Sequence, residues 1–130
     1  MFLAGGIGIT PFFSIVRQAA HDQLPHRLYL FHSNRRPEDA PFLEALKNLE
    51  KTNPSFRFIG TMTDMAHSKK KWDGEMGLID EAMLSKYISD LRGPIYYIAG
   101  PPAMVTAMRK SLVASSIDDD DIRTDEFAGY

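Results

Sequence analysis

Short apolar runs alternate with helix-patterned segments along the whole 130-residue chain. Residues 28–31, Leu-Tyr-Leu-Phe, form a continuous apolar run, which is typical of a strand covered on both faces. Parallel strands need a crossover between them, usually a helix, whereas antiparallel strands can be joined by a short turn. The alternation therefore predicts a parallel sheet flanked by helices. The predicted strands are residues 1–4, 28–31, 55–61, 95–99 and 122–127.

Between these strands, apolar residues recur at helical spacing. The first helix has an apolar face made of residues 12, 13, 15, 16, 19 and 20, with Thr10 as its N-cap and Pro11 in its first turn. Further helices are predicted from Pro41, from Asp80 to Ile88 and from Pro102 to Ala114, and residues 62–77 are interpreted as irregular. The predicted fold class is α/β: a Rossmann-like, three-layer α-β-α domain with a five-stranded parallel sheet in the order 3-2-1-4-5.

Length and composition limit the classes of function. The chain suffices for one domain, residues 1–130, and its lack of cysteine excludes disulfides, thiolate zinc sites and iron–sulfur clusters held by this chain alone. The net charge of -2 gives no general attraction to nucleic acid, and no apolar run reaches the length of a membrane span. The four histidines show no metal-ligand spacing. We expect a cytoplasmic domain with no metal, no nucleic-acid partner and no membrane insertion.

Two glycine-containing turns connect predicted strands to predicted helices. In a parallel sheet, ligands bind outside the carboxyl ends of the strands where the strand order reverses, which places both turns at the expected site. Glycine lets the backbone approach a ligand closely, and a helix start offers unpaired N–H groups to a pyrophosphate. Either turn alone is equally consistent with simple strand termination, but two turns at one switch point favour a ligand site. The candidate residues are Gly5, Gly6, Gly8, Ile9, Thr10, Pro11, Gly100, Pro101 and Pro102.

The loop after the second predicted strand carries both acidic and basic residues. In such sheets this loop contacts the adenosine ribose, where an acid accepts a hydrogen bond from the 2′-hydroxyl and arginine suits a 2′-phosphate. Asp39 has two interpretations that remain open, a ribose ligand or the N-cap of the second helix. The candidate binding residues of this loop are Ser33, Asn34, Arg35 and Asp39, with Arg36 beside them.

Three motifs carry a resemblance to a known family. Residues 6–11, Gly-Ile-Gly-Ile-Thr-Pro, are similar to a G-x-G-[IL]-[TA]-P pyrophosphate turn, and residues 100–104, Gly-Pro-Pro-Ala-Met, to a C-G-P-P-x-M turn. The ending 125–130, Asp-Glu-Phe-Ala-Gly-Tyr, looks like a C-terminal E-x-F tail. With these motifs in order, the chain resembles over its whole length the NAD(P)-binding domain of the ferredoxin–NADP reductase superfamily of flavin oxidoreductases.

The resemblance implies roles for individual residues of the two turns. Gly6, Gly8 and Thr10 would hold the pyrophosphate and nicotinamide side of the dinucleotide. Gly100 and Pro101 would border the nicotinamide.

Further roles implied by the resemblance concern the rest of the site. Met104 would lie on the adenine side, Glu126 would be the catalytic acidic residue near the site of hydride transfer, and Tyr130 would cover the flavin ring. The loop at 34–39 is similar to the Asn-Arg-x-x-Glu-Asp stretch of NADH-using assimilatory nitrate reductases, which favours NADH over NADPH as cofactor.

The chain departs from the family pattern at two points. Ala99 stands where many members carry a cysteine before Gly-Pro-Pro. The flavin-binding β-barrel, for FAD or FMN, is expected upstream and is absent from this chain, so Met1 is interpreted as an artificial boundary or the start of a subunit.

The function implied is therefore that of one half of an enzyme. We expect a pyridine-nucleotide-binding module that presents NAD(P)H for hydride transfer to a flavin on a separate domain or subunit, and that is nearly inactive by itself. The partners expected are that flavin-binding domain and, beyond it, an electron-transfer protein. The alternative is a non-catalytic subunit that senses nucleotide or regulates another protein.

Overall fold

A computed structural model describes residues 1–23 and 27–126 of the chain. The strands are β1 (Phe2–Gly5), β2 (Leu28–Asn34), β3 (Phe56–Met62), β4 (Glu75–Met76), β5 (Tyr96–Gly100) and β6 (Ile122–Glu126). The α-helices of the described residues are α1 (Thr10–His21), α2 (Leu43–Thr52), α3 (Glu81–Tyr87) and α4 (Pro102–Ala114). None of these helices is long and apolar enough to cross a membrane.

The six strands of the described residues are parallel and lie in the order β4-β3-β2-β1-β5-β6. The predicted α/β fold with a parallel sheet is confirmed, but the count of five strands is wrong because β4 adds an edge strand beside β3. The order 3-2-1-4-5 therefore describes the other five strands and not the whole sheet. Only two residues of β4 pair, Glu75 with Thr61 and Met76 with Met62. Such a short strand has no periodicity to detect, and it is held by contacts distant in sequence, including the hydroxyl of Thr61, which donates to the Gly77 carbonyl at 2.7 Å.

The strands bury side chains on both faces of the sheet. Because successive side chains of a strand point to opposite faces, Leu3 and Phe31 pack with α3 and α4, whereas Ala4 and Leu30 pack with α1 and α2. Each face has its own apolar cluster. This arrangement explains why residues 28–31 form a continuous apolar run, and it gives the predicted three layers.

The observed helix bounds and caps agree with the predicted ones for α3 and α4 but not for α1. Helix α4 has the predicted bounds, and the carboxylate of Asp80 caps α3 by accepting the Met83 N–H at 2.8 Å, as predicted. Thr10 is not the N-cap of α1. A 3-10 turn at Gly6–Ile9 precedes the helix, so Thr10 is its first residue and its hydroxyl donates backwards to the Ile7 carbonyl at 3.0 Å.

Gly8 is buried where the 3-10 turn packs against β5. A Cβ atom on Gly8 would overlap the carbonyl of Ala99 and lie 2.9 Å from the backbone nitrogen of Gly100. These neighbours are backbone atoms of β5, which is paired on both sides, so they cannot rotate away as a side chain would. Glycine is therefore required at position 8 because the turn lies directly against the backbone of β5.

We expect Gly8→Ala to lower the free energy of unfolding by about 1–3 kcal/mol, because the added methyl group overpacks the contact with β5. Gly93→Ala is the matched control, since a Cβ there would meet Asp90 at an ordinary distance of 3.6 Å. That variant should change the free energy of unfolding by no more than about 0.5 kcal/mol. Urea denaturation of both variants checks this, and equal effects would contradict the packing account.

Candidate nucleotide-binding cleft

A cleft of about 640 Å³ opens at the carboxyl edge of the sheet, where β1 lies between β2 and β5. This volume is in the range that small-molecule and cofactor sites occupy. A second cavity, of about 410 Å³, lies between α2 and Trp72 and includes none of the predicted site residues. The cleft at the carboxyl edge is lined by Gly5, Gly6, Ile7, Ser33, Asn34, Arg35, Arg36, Asp39, Pro41, Thr63, Leu78, Pro101 and Met104.

Many of the predicted site residues meet at this cleft. Those on its lining are Gly5, Gly6, Ser33, Asn34, Arg35, Asp39, Pro101 and Met104. The others lie around it: Gly8 and Ile9 are buried in the first turn, Thr10 and Pro11 begin α1, and Gly100 and Pro102 flank Pro101. Tyr130 lies outside the described residues.

Five lining residues are not among the predicted site residues: Ile7, Arg36, Pro41, Thr63 and Leu78. Thr63 could have been found, because it follows β3 directly and the carboxyl ends of parallel strands share one edge. Leu78 had no such signal, since it follows the short strand β4.

The first turn presents backbone groups to the cleft. Gly6 has a φ of 53°, a left-handed conformation that glycine adopts readily, and it begins the 3-10 turn directly at the end of β1. Its N-cap residue, Gly5, has no side chain that could cap this turn, and the first N–H groups of a helical turn have no partner within it. Such groups suit an anion. Gly6 and Ile7 both line the cleft, which brings the turn to the place where a ligand would lie.

The second turn meets the first through Met104. A Cβ atom on Gly5 would overlap the Met104 sulfur, and one on Gly100 would lie 3.0 Å from it. Glycine at both positions therefore makes room for this side chain, which fills the space between the two turns. The structure thus places Met104 at the junction of β1 and β5, and its assignment to the adenine side of a nucleotide stays a prediction.

Glu126 lies at the same edge of the sheet. It is the last residue of β6 and pairs with Gly100 in the parallel register of β5 and β6. Its side chain is exposed. The structure therefore brings the predicted acidic residue next to the second turn without placing it on the lining of the cleft.

The basic and acidic residues of the loop after β2 are paired with each other. Arg36 donates to both carboxylate oxygens of Asp39, at 2.8 and 3.0 Å. This hydrogen bond to Arg36 is the main cause that lowers the pKa of Asp39. Helix α2 begins only at Leu43, and Phe42 is its N-cap, with no side-chain capping bond. The interpretation of Asp39 as a helix cap is therefore wrong.

A second acidic residue fixes this loop to the segment after β3. Glu38 accepts hydrogen bonds from the Ser68 hydroxyl at 2.7 Å and from the Lys69 N–H at 3.0 Å. The bond from Lys69, followed by that from Ser68, lowers the pKa of Glu38 to about 2. The Thr63 N–H also donates to the Asn34 carbonyl at 3.0 Å. The wall of the cleft is thus preassembled from two loops, one of which belongs to the segment that the sequence pattern marks only as irregular.

The chemistry available at the cleft is that of binding and orientation. Its lining offers backbone N–H groups, two arginines and one carboxylate. Within residues 1–23 and 27–126, no group of three or more histidine, aspartate or glutamate residues gathers in a way that could hold a metal ion.

Comparison with known proteins places this geometry in a family. Residues 2–110 match the family model of the oxidoreductase NAD-binding domain. One subunit of the Na(+)-translocating NADH-quinone reductase is a relative in both Pseudoalteromonas atlantica, 26% identical over 133 residues, and Klebsiella pneumoniae, 27% identical over 137 residues. In both cases the match covers 99% of this chain and 32% of the relative. The chain thus spans about a third of the length of these curated relatives.

Solved structures with the same fold include longer chains of which this chain covers half or less. The FAD/NAD-binding domain of a nitric oxide dioxygenase from Vibrio cholerae matches with a TM-score of 0.82 at 17% identity, over 97% of this chain and 49% of that one. An Amycolatopsis cytochrome P450 reductase matches with a TM-score of 0.80 at 25% identity, over 97% and 36% of the two chains. These comparisons confirm the resemblance to the NAD(P)-binding domain of the ferredoxin–NADP reductase superfamily, and the chain belongs to the oxidoreductase NAD-binding domain family.

Proposed function

We propose that this chain binds NADH in the cleft at the carboxyl edge and presents its nicotinamide to a flavin held by a separate domain or subunit. The observation that carries the proposal is the position of the cleft, which is bordered by both glycine turns at the switch point of an NAD-binding domain. The dinucleotide supplies the hydride that the flavin receives, and the protein contributes binding, orientation and exclusion of water.

The pyrophosphate is assigned to the first turn. The turn at Gly6–Ile9 lacks a side-chain cap, and its backbone N–H groups together with the Thr10 region can hold negative charge. The nicotinamide is assigned to Gly100 and Pro101, because the second turn borders the same cleft across from the first. Glu126 then lies beside the nicotinamide end through its pairing with Gly100, and it is the acidic residue proposed to act near hydride transfer.

The loop after β2 is assigned to the adenosine ribose, and its charges favour NADH over NADPH. Asp39 remains ionised beside Arg36 and can accept a hydrogen bond from a 2′-hydroxyl. A 2′-phosphate would meet the like charge of Asp39 and would have to displace that carboxylate from Arg36. Both effects oppose NADPH.

The proposed partner is a flavin-binding domain that holds FAD or FMN. The Vibrio cholerae structure is that of an FAD/NAD-binding unit, and this chain covers 49% of it. The remainder of such a unit is the natural place for the flavin in a protein that contains this domain. An electron-transfer protein that accepts electrons from the flavin would be a further partner.

Asp39→Ser should raise the affinity for NADPH relative to NADH by about tenfold to a hundredfold, because it removes the like charge and frees Arg36 for the 2′-phosphate. Calorimetric titration with NADP⁺ and NAD⁺ measures this ratio. Adding Arg36→Ala to Asp39→Ser should remove most of the gain, since the freed cation is then lost. Asp22→Ser, at the far end of α1, is the control and should leave the ratio unchanged. A fixed ratio in Asp39→Ser would exclude this residue from cofactor selection.

Hydride transfer should depend on a flavin domain, because the reacting atoms must be held about 3–3.5 Å apart. We expect the 130-residue chain to bind NAD⁺ but to oxidise NADH with ferricyanide at a rate near background, with or without free flavin. Supplying a matching flavin-binding domain, in trans or fused ahead of Met1, should restore turnover. Stoichiometric flavin on the purified chain, or fast turnover without a second domain, would overturn the proposal that the flavin is held by a separate domain or subunit.

A further inference from the structure

One buried titratable side chain has no part in the proposed chemistry. His32 lies in β2 with 0% of its surface exposed, on the face of the sheet that also buries Ala4 and Leu30. An imidazole among apolar side chains costs free energy unless its polar atoms find partners. Its placement in a strand therefore calls for a specific contact.

That contact is with the first glycine turn. His32 Nε2 lies 2.8 Å from the carbonyl oxygen of Gly6, the first residue of the 3-10 turn. A carbonyl only accepts hydrogen bonds, so Nε2 must carry the proton that is shared. Among the described residues, Nδ1 of His32 has no partner, which suits a lone pair better than an N–H group.

The ring is therefore neutral and protonated on Nε2. Burial lowers the pKa of His32 to about 4, so the uncharged form predominates near neutral pH. Nδ2 of the Asn34 side chain lies 3.2 Å from the same nitrogen. A nitrogen that donates to Gly6 cannot also accept from Nδ2, so in this tautomer the Asn34 amide must be turned to present Oδ1 to the ring.

Holding the Gly6 carbonyl fixes the direction of the next N–H group. The C=O of Gly6 and the N–H of Ile7 belong to one trans peptide, in which the two groups point in opposite directions. A carbonyl directed at His32 thus directs the Ile7 N–H away from it, and Ile7 lines the cleft. Glycine at position 6 would otherwise allow this peptide to flip and to turn a carbonyl towards the phosphates.

We propose that His32 is a positioning residue for the dinucleotide, and that its Nε2–H bond to Gly6 keeps the Ile7 N–H directed at the pyrophosphate. This inference rests on the proposed function of the cleft. His32 would then contribute to the affinity for the nucleotide, although its side chain does not line the cleft.

Two substitutions of His32 distinguish the effect of its hydrogen bond to Gly6 from the effect of burying a polar side chain. The amide nitrogen of glutamine is as many bonds from Cβ as His32 Nε2, whereas that of asparagine is as near to Cβ as Nδ1 and falls short of Gly6. His32→Gln should therefore keep wild-type affinity for NAD⁺, and His32→Asn should weaken it about three- to tenfold in calorimetry of the whole chain. Thr61→Val removes a different buried hydrogen bond at this edge and should leave NAD⁺ affinity unchanged.

A measurement on the unmodified chain covers the case in which a variant does not fold. Long-range ¹H–¹⁵N NMR should show a neutral His32 protonated on Nε2, and a ring protonated on Nδ1 would overturn the proposal. Equal NAD⁺ affinity in folded His32→Asn and in the wild type would also overturn it while leaving the proposed function intact. A wild-type chain that binds no NAD⁺ would instead contradict the proposed function itself.

Discussion

The parallel pairing of β1 with both β2 and β5 is the constraint on which the site depends. β1 is only four residues long, and Phe2 pairs with Leu30 on one side and with Tyr97 on the other. Because all three strands run in the same direction, the chain leaves each of them at the same edge of the sheet. The two glycine turns and the charged loop, which are far apart in sequence, are thereby brought around one cleft.

The sequence predicted those parts of the fold that depend on local rules. The bounds of α4 follow from a proline start and an apolar face, and the Asp80 cap follows from the preference of helix starts for an acceptor. The strand β4 and the start of α1 followed no local rule. β4 is formed by two residue pairs with β3. The Gly6–Ile9 turn, which packs on β5, precedes α1, so the N-cap is Ile9 and not the predicted Thr10. Both are tertiary effects that a residue pattern does not contain.

The same distinction applies to the candidate site. The two glycine turns could be located from their residues. Which charged side chains of the loop after β2 pair with one another could not. Arg36 and Asp39 were visible as opposite charges in one loop, but only the structure shows that they are paired. The role of Glu38 depends on Ser68 and Lys69, about thirty residues away along the chain. The electrostatics of the loop after β2 are therefore a property of two loops together, and sequence reasoning about one of them was incomplete.

The glycines of the first turn serve the packing of the fold as well as the proposed nucleotide site. Gly5 leaves room for the Met104 sulfur and Gly8 allows the turn to touch the backbone of β5, so both meet needs of packing. Gly6 is the member with a left-handed backbone, and its carbonyl is held by a buried imidazole. Tight packing of the turn on β5 brings uncapped N–H groups to the edge where three strands end. In the proposed function the motif is linked to binding through the packing of the turn on β5, because the turn whose packing requires glycine at position 8 also presents the backbone donors at the edge of the sheet.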